Sequence, residues 1–174
     1  MVRVIAGLLK SRSINYGKRN TIRPTQDRVK AALFSIMGDI ADQRVADLFA
    51  GTGNLGIEAL SRGAASCTFV ENDPQNVALI RQNLTNLGLE AQAEIVQKDA
   101  LKFLEAKPEF NLILADPPYN YPFYSELLTT FQRLTPGTRI VLETDIRYRP
   151  PASFRPNDLK IRKSGDTNLI IIRI

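Results

Sequence analysis

The 174-residue chain contains no histidine, no tryptophan and a single cysteine. Without histidine, imidazole zinc sites and a His general base are excluded, and one thiol can neither close an internal disulfide nor build a clustered-thiolate metal site; no metal is called for. Long apolar runs are missing too: nothing approaches the ~20 residues that span a bilayer. Segment 4–9 is too short for a secretory h-region and has no small-residue cleavage site behind it. The chain therefore reads as cytoplasmic and membrane-free. Chemistry is left to carboxylates, tyrosine, lysine, hydroxyls, backbone groups and whatever a cofactor brings.

What is present suits one ordinary globular unit. Apolar residues make up 44% and charged residues 24%, and a domain of this length buries roughly 70% of its unfolded surface. The net charge of +5 is unevenly spread: residues 1–30 hold eight Lys or Arg against one acid, Asp27, while the remainder holds 15 bases and 17 acids. We therefore divide the chain into a basic N-terminal arm or hairpin, residues 1–22, and a globular domain, 23–174. An arm of this charge suits a polyanion such as RNA, with a solvated charged surface as the plainer alternative.

Segments 2–5 and 13–16 are β-prone and read as a hairpin or extended arm. Pro24 and the N-cap Thr25 then open a helix whose apolar face is Val29, Leu33, Ile36, Met37 and Ile40, leaving Arg28 and Lys30 on a basic outer face. From residue 44 strands alternate with helices, the pattern of a parallel sheet. Strands are expected at 45–49, 67–71, 93–96, 110–115 and 138–143, and helices at 54–62, 74–87, 101–105 and 123–134. The tail 159–174, with Gly165-Asp166 as its turn, reads as an antiparallel hairpin completing the sheet.

Gly51-Thr52-Gly53-Asn54-Leu55-Gly56 matches G-x-G-x-x-G between a strand and a helix, a context in which glycines let backbone N–H groups approach a ligand. Glu71 ends the next strand, where a carboxylate can accept from ribose hydroxyls. The pair indicates an adenosine-containing cofactor. Asp47, inside the first strand, suits the cationic part of such a ligand better than a pyrophosphate, so a sulfonium with an amino-acid tail fits and a nicotinamide dinucleotide fits poorly; a loop-capping carboxylate is the structural alternative. Asp99 can accept from an adenine amino group, cap the helix behind it, or both. Asp116-Pro117-Pro118-Tyr119 follows the fourth strand: two prolines stiffen the loop, the Asp116 carboxylate and Pro117 carbonyl are fixed acceptors for a planar amine, and the Tyr119 ring offers a stacking face.

The run from Asp47 to Ala64 (DLFAGTGNLGIEALSRGA), together with Glu71, Asp99 and Asp116–Tyr119, resembles the S-adenosylmethionine-dependent amino-methyltransferases. Arg3-Val-Ile-Ala-Gly7, Arg23-Pro-Thr-Gln-Asp-Arg-Val-Lys30 and Gly165-Asp-Thr167 narrow this to a resemblance to the RsmD-type enzymes, which methylate N2 of a guanine in 16S ribosomal RNA. Two positions depart from that pattern: Asn54 stands where a small residue is usual, and Ser164 where Tyr is common. The resemblance implies an α/β, doubly wound, mostly parallel seven-stranded sheet of order 3-2-1-4-5-7-6. It implies S-adenosylmethionine held by Asp47, Phe49, Ala50, Gly51, Thr52, Gly53, Gly56, Glu71, Asn72, Asp99 and Ala100. Asp116, Pro117, Pro118 and Tyr119 would be the catalytic residues, and Arg3, Lys10, Arg12, Lys18, Arg19, Arg23 and Arg28 the contacts to ribosomal RNA. Rival readings are methylation of adenine or cytosine in DNA or of glutamine in a protein, a non-catalytic RNA-binding module, and a nicotinamide oxidoreductase.

Overall fold

The computed structural model describes residues 2–17, 27–118, 120–154 and 158–174. Thr25, expected to cap the first helix, and the basic residues Lys18, Arg19 and Arg23 lie outside them, as does Tyr119.

Two short strands, β1 (Val2–Arg3) and β2 (Ser13–Ile14), pair antiparallel, and α1 (Asp27–Met37) follows. Then come β3 (Arg44–Leu48), α2 (Asn54–Ser61), β4 (Ser66–Glu71), α3 (Pro74–Leu87), a 3-10 turn (Glu90–Gln92), β5 (Ala93–Gln97), α4 (Ala100–Leu104), β6 (Leu112–Ala115), α5 (Tyr124–Phe131), β7 (Arg139–Asp145), β8 (Asp158–Ser164) and β9 (Thr167–Arg173). The seven-stranded sheet runs β5-β4-β3-β6-β7-β9-β8, which is 3-2-1-4-5-7-6 counted from its first strand. β3 to β7 pair in parallel, and β9 is antiparallel to both neighbours. The doubly wound class is as the alternation led us to expect and the strand order as the resemblance implied; element ends differ by one to three residues, α5 stopping at Phe131, where end hydrogen bonds are weakest.

The local chemistry explains these elements. Asp73 caps α3 by accepting from Gln75 N at 2.7 Å, Pro74 occupies the first turn, and Gly88 closes the helix with φ +69. Side chains alternate across the central strands: Leu112 and Leu114 of β6 enter the core layer formed with α1, α2 and α3, whereas Ile113 and Ala115 enter the layer covered by α4 and α5. Val4 and Ile14 of the arm are buried in the first layer.

α1 corrects two expectations. Ile36 is 39% exposed and Ile40 is buried from beyond the helix end, because Gly38 turns the chain at φ +68. Lys30, expected on a basic outer face, is fully buried. Its ammonium donates to Arg3 O and to Asn54 Oδ1, both at 2.8 Å, and lies 3.3 Å from Glu58 Oε2. Glu58 also accepts from Ile5 N at 2.9 Å, Ala6 N at 3.0 Å and Arg62 Nε at 2.8 Å. A period-3.6 pattern treats lysine as polar; a buried carboxylate on a neighbouring helix reverses that assignment.

Candidate active site

The carboxyl ends of the parallel strands open into a cavity of about 670 Å³, where doubly wound sheets bind ligands. Between β3 and α2 the chain turns sharply: Phe49 takes φ +58, unusual for an aromatic residue, and Gly51 takes φ +56. Asp47, Phe49, Ala50, Gly51 and Thr52 line the cavity. Gly53 and Gly56 do not. Gly56 is the close-packing glycine of the turn, since a Cβ there would lie 2.3 Å from Phe69 Cε1 and 2.7 Å from Cys67 Sγ. Asp47 is buried and accepts from Gly56 N at 2.8 Å, so it caps α2 as well as facing the cavity. Burial drives its carboxyl well above the usual range, the Gly56 N–H opposes this, and Asp116 and Glu71 add to it.

Glu71, at the end of β4, organises the neighbouring turns. Its Oε2 accepts from Gly51 N at 2.7 Å and its Oε1 from Asn72 N and Asp73 N, both at 2.9 Å. A carboxylate has about four acceptor positions, so Glu71 can serve these amides and a ligand hydroxyl together. Asn72, Asp99 and Ala100 also line the cavity, and Asp99 caps α4 by accepting from Lys102 N at 3.1 Å.

Asp116, Pro117 and Pro118 line the same cavity as Gly51. β6 and β7 pair through Ala115 and Leu142; Asp116 follows the end of β6, Glu143 lies within β7, and both border the cavity. Thr167 Oγ1 donates to Glu143 Oε1 at 3.3 Å, bringing the Gly165–Thr167 turn to this wall.

Three site residues escaped the sequence reading. Tyr16 enters the cavity from the arm, and burial, with Asp116 and Asp47 adding to it, pushes its hydroxyl up to about 12. It is placed there by Asn83, whose Oδ1 accepts from Asn15 N at 2.8 Å while its Nδ2 donates to Asn15 O and Thr52 O, both at 3.0 Å. Tyr121 meets Phe49 edge-on at 5.0 Å, and burial pushes its hydroxyl up to about 12. Glu143 is the third. Only the Gly165-Asp-Thr167 motif hinted at its neighbourhood.

Charge decides what the cavity can hold. Asp47, Glu71, Asp73, Asp99, Asp116, Glu143 and Asp166 line it, against Lys98 as the sole Lys or Arg among the described lining residues. A pyrophosphate would be repelled, and a ligand with cationic groups is attracted.

The comparisons agree with this geometry. The family described as "Conserved hypothetical protein 95" matches residues 2–173. A Bacillus subtilis protein provisionally described as an rRNA methyltransferase, YlbH, is 40% identical over 158 residues, 86% of either chain. The ribosomal RNA small subunit methyltransferase D of Haemophilus influenzae is 33% identical over 181 residues, covering 99% of this chain and 92% of that one. A solved structure from Thermus thermophilus, of a protein described as hypothetical, superposes with a TM-score of 0.84 at 27% identity, covering 100% of both chains. The chain belongs to the RsmD-type methyltransferase family.

The cofactor of this methyltransferase is S-adenosylmethionine, and the cavity's residues fit it. Its sulfonium and amine are cationic, as seven carboxylates require, and Asp47 and Glu71 lie at the ends of β3 and β4 on either side of the glycine turn. Outside the cavity, Arg3, Lys10, Arg12 and Arg28 are exposed. Arg12 also donates to Asn86 O at 3.1 Å, tying the arm to α3. Among the described residues no helix is long and apolar enough to cross a membrane.

Proposed function

We propose that this methyltransferase transfers the methyl group of S-adenosylmethionine to the exocyclic N2 amine of a guanine in small-subunit ribosomal RNA. The carrying observation is the Asp116-Pro117 pair that follows β6 and borders the cavity, offering a carboxylate and a carbonyl to a bound amine. A guanine N2 amine offers two hydrogens, which the Asp116 carboxylate and the Pro117 carbonyl can accept, and the choice of guanine follows the resemblance of the Arg3–Gly7, Arg23–Lys30 and Gly165–Thr167 motifs to the RsmD-type enzymes. The substrate class follows the Haemophilus influenzae relative, whose name specifies small-subunit ribosomal RNA.

Bound cofactor supplies an electrophilic methyl on a sulfonium. The chain's own residues provide orientation: Asp116 and the Pro117 carbonyl hold the amine hydrogens, draw its lone pair out of conjugation and direct it into the cavity. The proton released as the N–C bond forms passes to Asp116 or to solvent, so no histidine is needed. The target base must leave its stack to reach this wall, with Tyr119 proposed as its platform. Arg3, Lys10, Arg12, Lys18, Arg19, Arg23 and Arg28 are the proposed grip on RNA, with the arm, residues 1–22, as the unit that carries most of them.

Treating ribosomal RNA with enzyme and isotope-labelled cofactor, then digesting it to nucleosides for mass spectrometry, tests the reading. Label in N2-methylguanosine is expected; label in methylated adenine, methylated cytosine or protein overturns it. Asp116→Ala should bind cofactor as the wild type does and lose about 10²-fold or more in turnover, and full turnover in that variant removes Asp116 from the acceptor role.

A further inference from the structure

The near balance of charge in residues 31–174 hides how that charge is distributed. Of the 17 acids there, seven line the cavity and Glu58 is buried, so the exterior of the globular domain is basic. β8, the edge strand of the sheet, carries Lys160, Arg162 and Lys163, all exposed. Register decides which way they face. Lys160 stands opposite Ile171 and Arg162 opposite Leu169, and both apolar partners belong to the core layer that includes α1. Directly opposed residues share a face, so Lys160 and Arg162 emerge on the α1 side and Lys163 on the other. α1 packs beside β8, and its direction is fixed at both ends. Met37 O, at its C-terminus, accepts from Arg139 Nη1 at 3.0 Å at the start of β7, while Val29, in its first turn, lines the cavity. Arg28, next to Val29, is exposed. β8 ends at Ser164, which stands opposite Thr167, and both line the cavity. Arg28, Arg162 and Lys160 therefore make a row of cations that starts at the cavity mouth and follows the sheet edge outward. The acids on these two elements are Asp27 and Asp158. Lys160 lies 3.4 Å from Asp158, an exposed pair of little strength, and Arg173 stands opposite Asp158 to replace it. Neither Arg28 nor Arg162 forms an ion pair among the described residues.

We propose that Arg28, Arg162 and Lys160 form a phosphate track for the RNA strand that flanks the target base, with β8 as a second grip separate from the arm. This rests on the RNA reading above and extends it to the C-terminal hairpin. The arm is moored on α2 and α3, which pack on β3, β4 and β5, whereas β8 is the opposite edge of the sheet. A base turned into the cavity leaves a chain on either side of it at the mouth; the arm meets one and β8 the other. The cavity's carboxylates, with Asp166 on the turn after Ser164, repel phosphates, so the strand needs cations just outside the mouth. Lys160 and Arg162 are two residues and thus roughly 7 Å apart along β8, close to the separation of successive phosphates in an extended strand. Charges of either sign keep an edge strand from pairing with another chain; a row of one sign aligned with the mouth suits a polyanion.

Filter binding of the intact protein to small-subunit ribosomal RNA across a salt series tests this. Lys160→Gln with Arg162→Gln removes two phosphate contacts, so the slope of log affinity against log salt should fall by about 1.4, and affinity at about 0.1 M salt by roughly 10- to 30-fold. Lys107→Gln with Arg133→Gln removes the same charge from exposed positions just beyond α4 and α5, on the other side of the sheet, and should leave the slope within about 0.3 of wild type. Lys160→Arg with Arg162→Lys keeps both charges and should keep the wild-type slope. All three variants should bind S-adenosylmethionine as the wild type does by calorimetry, since none of the four positions lines the cavity. An unchanged slope in the β8 glutamine variant, or an equal loss in the variant of the other face, overturns the proposal. Self-association of the β8 variant in light scattering, with its slope unchanged, assigns the charges to guarding the edge instead. A wild type that does not bind this RNA overturns the RNA reading and the track with it, whereas a wild type that binds with a salt slope but labels another nucleotide overturns only the choice of guanine.

Discussion

Replacing Glu58 by alanine removes the partner of a fully buried ammonium. Glu58 and Lys30 both have no exposed side-chain surface and lie 3.3 Å apart. Breaking a buried pair by deleting one member costs about 3–5 kcal/mol. A second route to the magnitude caps it: the orphaned Lys30 can shed its proton, which at pH 7 costs roughly 5 kcal/mol from an ordinary lysine value near 10.4. Burial already holds Lys30 below its usual value, with Glu58 opposing this, so deleting Glu58 lowers it further. The sign follows from linkage. A lysine depressed in the folded state binds fewer protons there than in the unfolded chain, so the stability of Glu58→Ala rises with pH, by at most about 1.4 kcal/mol per unit below pH 10. Urea unfolding followed by circular dichroism should show a deficit of about 3–5 kcal/mol at pH 7, narrowing at pH 9. The melting temperature at pH 7 should fall by roughly 6–20 °C for a chain of this size. Adding Lys30→Met should recover part of the deficit, because the unpaired charge goes with it. A loss below about 1 kcal/mol, the same at both pH values, would mean that the pair is solvated and would refute the reasoning.

Asp47→Asn keeps an oxygen for Gly56 N and removes a desolvated charge. Because burial raises the Asp47 value in the folded protein, its contribution to stability is present below the ordinary carboxyl range and lost as pH rises through the raised value. The cofactor-free variant should therefore unfold at equal or higher temperature than wild type at pH 8, and calorimetry should show at least about tenfold weaker cofactor binding; lower stability with unchanged affinity contradicts this. Gly56→Ala places a Cβ 2.3 Å from Phe69 Cε1. It should cost about 1–3 kcal/mol in thermal or urea unfolding as α2 backs away from the sheet, and a wild-type transition would show that the helix has slack. RNA affinity should fall with salt at a slope of about 0.7 per phosphate contacted for single-stranded sites. Alanine at Arg3, Lys10 or Arg28 should lower that slope, and a filter-binding titration insensitive to salt removes the arm from the grip.

The doubly wound sheet was readable because boundary signals and periodicity agreed: Asp73, Pro74 and Gly88 frame α3, and the apolar run of β6 marks a strand covered on both faces. Asp47, Glu71, Asp99 and Asp116 were readable as one group because each lies near the carboxyl end of a strand of a parallel sheet or follows it, which puts them at one edge without any knowledge of strand order. What failed depended on contacts between distant segments. Lys30 looks like a surface residue until Glu58, 28 positions on, is known to face it. Tyr16 reaches the cavity only because Asn83 ties Asn15 to the turn at Thr52, a contact with no local signature. Glu143 sits in an apolar strand pattern that gives no reason to single out its carboxylate, until β7 is placed beside β6.

Glu58 grips the arm through the peptide N–H groups of Ile5 and Ala6, and Ser61 does so through Leu8 N and Leu9 N. Main-chain anchorage is indifferent to which side chains the gripped residues carry, with Gly7 as the exception, since a Cβ there would collide with Ser61 O. The exposed positions of the described arm, Arg3 and Lys10 among them, can accordingly be rewritten while it stays moored to the same helix, so the proposed grip on RNA is open to exchange with the methyl-donor cleft left untouched.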